Sequence, residues 1–187
     1  NAMTAAEKKP FGRSIADFKS ITDAEQILIA CAAEGKECVI GTGELPANKT
    51  NDMIVRACLI RFLLLGGDYS TPVHEKGVDL SGAWIEGVLD LDGCKSLLGL
   101  VLANCVIQDF VRAIDTEIQL IAFMGVTITK YDDSGISFYG DRIAIEGDLH
   151  ISDGSNLAGA LYLGGAKVGG VLNCKASVFA ELTVGPD

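Results

Sequence analysis

One phrase in this sequence returns, and its return limits the fold. Gly82-Ala83-Trp84-Ile85-Glu86-Gly87-Val88-Leu89-Asp90-Leu91 reappears as Ile145-Glu146-Gly147-Asp148-Leu149-His150-Ile151. It comes back again as Gly165-Ala166-Lys167-Val168-Gly169-Gly170-Val171-Leu172-Asn173-Cys174. Weaker copies fall near Ile107 and Ile128, giving a unit of roughly 20 residues, the range of solenoid repeats. Around these copies apolar residues alternate: Val78/Leu80, Leu89/Leu91, Leu100/Leu102, Ile118/Leu120, Ile143/Ile145, Leu149/Ile151 and Leu161/Leu163. A unit this short, holding several short strands, is one coil of a β-helix whose coils stack at the inter-strand spacing of ~4.8 Å. Residues 76–187 then make about five coils, a rod near ~25 Å long. Ala83, Cys94, Ala166 and Cys174 suit a narrow interior, and Gly87, Gly147 and Gly170 are expected at one shared corner. The same alignment puts Glu86 with Glu146 on one side and Asp90 with His150 on another. The competing architecture is an irregular β-sandwich, which gives the phrase no reason to repeat.

The first part of the chain has a different grammar. Residues 1–75 hold 6 of the 22 glycines and carry 8 basic against 10 acidic residues. Residues 76–187 hold the other 16 glycines, with 7 basic and 15 acidic residues, so the acidity sits with the repeat. Thr22-x-x-Glu25 is a capping box, after which Ile27, Leu28 and Cys31 share a face until Gly35 stops the helix. Cys38-Val39-Ile40-Gly41 reads as a short extended piece. Asn51 or Thr50 caps a second helix carrying Ile54, Val55, Cys58, Leu59, Phe62 and Leu63, and Gly66-Gly67 ends it. The helix from about Asp52 to Leu65 is expected to lie across the first coil and to touch Val78 or Leu80. The expected organisation is a helical cap and linker over 1–75 and a β-helix over 76–187.

The run Ile54-Val55-Arg56-Ala57 through Leu63-Leu64-Leu65-Gly66-Gly67, then Gly77-Val78-Asp79-Leu80-Ser81-Gly82-Ala83 and the I-x-G-x-L-x-L phrase, resembles bacterial pentapeptide-repeat-like proteins. Some of these carry the label of membrane-associated oxidoreductase. The resemblance spans roughly residues 20–180 and implies a right-handed quadrilateral β-helix with an N-terminal helical cap. It implies little about activity. Residues 104–142 depart from the strict A-(D/N)-L-x-x pentad, so regular coils are least expected there.

The sequence offers no catalytic, cofactor or metal motif. A dinucleotide site needs G-x-G-x-x-G between strand and helix. Gly41-Thr42-Gly43 lacks the third glycine, and Gly164-Gly165 to Gly169-Gly170 belongs to the repeat. Six cysteines (Cys31, Cys38, Cys58, Cys94, Cys105, Cys174) form no C-x-x-C pair and read as buried, reduced thiols. His150 takes an outward slot and His74 lies in the linker, both as surface residues. Asp132-Asp133 could serve acid–base chemistry on polysaccharides, yet Lys130-Tyr131-Asp132-Asp133-Ser134-Gly135 is also what a turn looks like. Asn48-Lys49-Thr50 matches a glycosylation sequon and reads as the approach to a cap.

A net charge of −10 argues against direct binding to nucleic acid or to an anionic bilayer. Asn1-Ala2 before Met3 reads as a tag scar, no leader follows, and no apolar run is long enough to span a membrane, so the expected compartment is the cytoplasm. The expected function is a non-enzymatic scaffold or protein-interaction module with no cofactor and an unidentified protein partner. The alternatives are an acidic mimic of nucleic acid that binds a DNA-processing protein, and a polysaccharide-acting lyase or hydrolase. Nothing after Leu182-Thr183-Val184 resembles a cap, which points to a longer native chain or to a homodimer through the C-terminal coil, with Phe179 and Leu182 at the contact.

Overall fold

The computed structural model describes residues 14–186, so the Asn1-Ala2-Met3 start lies outside the described residues. The coils of the repeat lay short strands along four faces, and equivalent strands pair in parallel to form a β-solenoid of about five turns. The first face stacks Cys38–Val39, Val78–Ser81, Gly99–Ala103, Leu120–Met124, Leu149–Ser152 and Leu172–Asn173. The second stacks Ile54–Arg56, Trp84–Glu86, Val106–Ile107, Thr127–Ile128 and Asn156–Leu157. The third stacks Leu89–Asp90, Val111–Arg112, Ile136–Tyr139, Ala160–Gly164 and Leu182–Gly185. The fourth, the shortest, stacks Glu117–Ile118, Ala144–Ile145 and Lys167–Val168, with Lys95 bridging to Glu117.

Strand alternation sends one residue in and the next out. Ile85, Leu89, Leu149 and Ile151 have no exposed surface, and Leu91 has almost none, while Asp90, Asp148 and His150 are half-buried. Ile107 and Ile128 stack directly over Ile85, so the weak copies are true copies. The strong copies are not all in phase. Ile85 lies on the second face but Ile145 on the fourth, because each half-coil contains a similar corner. Gly147 and Gly170 therefore share a corner, joined by Gly170 N to Gly147 O at 2.9 Å, and Gly87 sits at the opposite one. Glu86 and Glu146 accordingly lie on different faces, as do Asp90 and His150, contrary to the expected charge rows. Leu120 also differs from expectation: it belongs to the next face after Ile118, and Ile121 and Phe123 are the residues that point inward there.

Two corners of each coil turn through one left-handed residue. Gly82, Asn104, Gly125 and Asp153 form one such column, and Gly93, Asp115, Arg142 and Gly165 the other, with φ between 49° and 76°. Each donates its N–H to a carbonyl one coil further on, for instance Asn104 to Met124 O at 2.9 Å and Asp115 to Asp141 O at 3.0 Å. Just inside the corner stands a small residue that bonds to the coil behind. Cys105 Sγ donates to Leu80 O, Thr116 Oγ1 to Leu91 O and Ser155 Oγ to Phe123 O. Buried carbonyls without partners are costly, so these hydroxyls and this thiol are structural.

The helices cover one end of the stack. Helix α1 (Asp23–Glu34) begins with the Thr22/Glu25 capping box and ends on Gly35 in the left-handed conformation. Leu28 is buried, Cys31 half-buried, and Ile27 is exposed instead of sharing their face. Helix α2 (Ala57–Leu64) starts later than the sequence suggests, because Ile54–Arg56 is drawn into the second face as a strand beside Trp84–Glu86. Thr50 precedes only a short 3₁₀ turn, Asn51–Met53, and its hydroxyl donates to Asp52 Oδ1 instead of capping a helix. Helix α2 packs chiefly beneath Leu89–Asp90, the first strand of the third face, and also approaches Val78–Ser81. There Arg61 Nη1 donates to Asp90 O at 2.7 Å, supplying a partner to a carbonyl at the sheet edge. Glu25, fully buried, accepts from Arg56 Nε and Nη2 at 3.0 Å each and so ties α1 to the strand ahead of α2.

Candidate functional site

The residues singled out in the sequence do not converge. His74 rests its ring on Gly35 and donates its backbone N–H to Ala32 O at 2.8 Å, which makes it part of the C-terminal cap of α1. His150 stands between Asn173 and Asp148 in a surface hydrogen-bond chain, 3.1 and 3.4 Å away. The Val171 N–H, and secondarily His150, hold the Asp148 carboxyl below its ordinary range. All six cysteines are free, and burial pushes the Cys38 and Cys105 thiols up to about 12. Among the described residues no group of three or more His, Cys, Asp or Glu side chains is gathered to hold a metal ion. No helix among them is long and apolar enough to cross a membrane.

Asp132 and Asp133 sit on a coil that is longer than its neighbours in the repeat. On the second face, Val106 pairs with Thr127 and Thr127 with Asn156, positions 21 and 29 residues apart along the chain. The excess lies between Ile128 and Ile136, and it is held in place. Asp132 Oδ1 accepts from Ser134 N at 2.8 Å and Ile136 N at 3.0 Å, which is the geometry of a turn. Ser137 Oγ donates to Lys130 O and accepts from Gly159 N, and Lys130 Nζ pairs with Asp109 at 2.8 Å. A Cβ on Gly159 would come within 2.7 Å of Tyr131 Cβ, so the loop is seated against the coil above.

This loop walls a groove of about 460 Å³ over the outward side of the third face. Its floor carries Phe110, Arg112 and Ile114, Tyr139 rises on the next coil, and the wall is Tyr131 to Ser134. The pairing register sets Asp90, Arg112, Tyr139, Tyr162 and Thr183 in one outward column. Arg112 Cζ lies 6.0 Å from the Tyr139 ring centroid, and the Tyr139 and Tyr162 rings are 5.0 Å apart. Arg112 is fixed by Asp92, from Nε at 2.9 Å and Nη2 at 2.8 Å. The hydrogen bond to Asp92 raises the guanidinium pKa most, with smaller contributions from the charges of Asp90 and Asp132. The column was not visible in the sequence, because its members lie 21 to 27 residues apart with no shared motif.

Two other surfaces stand out. A wider trough of about 1010 Å³ follows the fourth face, whose outward column runs Glu117, Ala144 and Lys167, with Glu117 paired with Lys95 at 3.0 Å. The C-terminal coil is bare: Leu172 and Leu182 are each 42% exposed and Val184 is 54% exposed, while Val168, Cys174 and Phe179 are half-buried. Leu172 and Val168 thus depart from the expected full burial, since no further coil covers them within the described residues. No family model, no curated protein and no solved structure matches this chain.

Proposed function

We propose that the protein is a non-enzymatic, pentapeptide-repeat-like scaffold whose C-terminal coil is its interaction surface, with residues 1–75 serving as the cap of the other end. One observation carries this reading. The inward positions that are wholly buried at Leu89 and Leu161 are 42% exposed at Leu182, on the same column of the same face. Leu182–Gly185 is a free-edged strand of four residues, and unpaired strand edges take up further strands. We assign this edge to a second copy, paired antiparallel across a two-fold axis so that Leu182 and Val184 of both copies meet. Phe179 would lie beneath the contact.

This reading is preferred to an acidic mimic of nucleic acid because the carboxylates are interleaved with cations: Glu86 with Lys49, Asp92 with Arg112, Asp115 with Arg142. It is preferred to a lyase or hydrolase because Asp132 already spends an oxygen on its own turn. The use of a thiol as a corner hydrogen-bond donor at Cys105 supports a reducing compartment, the cytoplasm. Sedimentation velocity over a wide concentration range tests the assignment. A dimer that Leu182→Asp converts to monomer is expected; a wild-type chain that stays monomeric throughout overturns it.

A further inference from the structure

We infer that the groove over the third face is a binding site for a neutral oligosaccharide. The reasoning starts from the insertion. A solenoid gains nothing in stability from a coil lengthened from 21 to 29 residues, since ordering extra backbone costs about 1–2 kcal/mol per residue. Yet the extra segment is fastened by Asp132, Ser137 and Lys130 into one shape, and that shape makes a wall opposite Arg112. At about 460 Å³ the groove falls within the roughly 300–1,000 Å³ range of small-molecule sites.

Its chemistry selects the ligand class. Asp132 and Asp133 on the wall repel a polyanion, and Arg112 in the floor, already paired with Asp92, does not offset them. A neutral ligand avoids that penalty. A saccharide has, in addition, hydroxyls that both donate and accept, and a C–H face that lies against aromatic rings. Arg112 supplies donors, Asp133 acceptors, and Tyr131 and Tyr139 rings and hydroxyls. Tyr131 is 58% exposed and lines the groove between Lys130, whose N–H and carbonyl are both bonded, and Asp132, whose N–H donates to Ile136 O, so an exposed ring is carried on a fastened loop. Such a ring on a rigid loop can bind without first being ordered. The column of Tyr139 and Tyr162 continues the aromatic surface toward the C-terminal coil, which favours a chain of sugar units over a single one.

Isothermal titration of the full chain tests this with neutral hexasaccharides of β-1,4-glucan, β-1,3-glucan, α-1,4-glucan and β-1,4-N-acetylglucosamine. A heparin hexasaccharide and hexalysine serve as charged controls. At least one neutral probe is expected to bind with Kd below ~1 mM. Tyr131→Ala is expected to weaken that binding by about tenfold or more, as loss of a stacking ring would. Tyr69→Ala, at a fully exposed ring outside the groove, is expected to change nothing. Should Tyr131→Ala disturb folding by circular dichroism, Asp133→Asn replaces it as the test, with loss of binding again expected. No neutral probe bound below ~1 mM, binding indifferent to the groove variant, or binding of the charged controls alone would each overturn the inference.

Discussion

The corners show how much single residues decide in this fold. Gly125 takes φ 63°, and a methyl group there would meet Asn104 Oδ1 at 2.6 Å. Gly125→Ala is therefore expected to destabilise the protein by more than the about 1–2 kcal/mol that a left-handed alanine costs, read from the urea midpoint. Gly154 also has a positive φ, but its Cβ position is open, so Gly154→Ala is the control for backbone strain alone. The thiols give a second residue-scale expectation. Cys38 and Cys105 hold their protons up to about 12, so the folded state binds those protons more tightly than the unfolded chain does. Stability is then unaffected by them below the ordinary thiol pKa of ~8.5 and is lost as pH rises from there toward 12. The urea midpoint of wild type is expected to fall more steeply above pH ~9 than that of Cys38→Ser/Cys105→Ser. Parallel slopes in the two proteins would show that these thiols do not contribute.

At the scale of elements, the joint between helix and solenoid rests on one buried carboxylate. Glu25 caps its own helix through the Thr22 N–H and at the same time receives the Arg56 guanidinium. Arg56 also covers the Phe18 ring at 5.7 Å, and Phe18 lies 5.2 Å from Phe62 of α2. Removing the carboxylate leaves Arg56 and the helix N-terminus without their partner. Glu25→Ala is expected to cost about 3 kcal/mol, the low end for breaking a buried pair, because the Arg56 side chain is 26% exposed and can turn to water. Thermal unfolding followed by circular dichroism reads it, and a loss under ~1 kcal/mol would mean that the pair is dispensable.

Among the described residues the two ends of the stack differ. At one end the first complete coil is covered: Val78, Leu80, Ile85 and Leu89 are wholly buried beneath residues of the helical region. Deleting residues 1–66 removes both helices, the Arg61 bond to Asp90 O and two strands of the stack. Insoluble or self-associating protein is expected, because a bare coil exposes apolar side chains together with unpaired backbone. A soluble, folded monomer of residues 67–187 would remove the case for a cap. At the other end the same kind of layer is open at Leu172, Leu182 and Val184, which is the basis for pairing of two copies.

The sequence by itself determined the coil. Alternation at Leu89/Leu91 and Leu149/Ile151, the I-x-G-x-L phrase and the Thr22/Glu25 box are each encoded within a few adjacent residues, and each forms as read. The phase of the copies was not so encoded. A corner between second and third faces and one between fourth and first pose the same local demand, so Glu86-Gly87 and Glu146-Gly147 look alike while lying on opposite sides. Only long-range parallel pairing, of Arg56 with Glu86 on the second face and of Ile118 with Ile145 on the fourth, distinguishes them. The same long-range register drew Ile54–Arg56 out of its helical pattern into a strand, since a sheet edge at Trp84–Glu86 offered hydrogen bonds that outweigh local preference. It also brought Arg112 beside Tyr139 and the Asp132 loop. Local chemistry fixes how the chain turns; stacking decides which side chains then face one another.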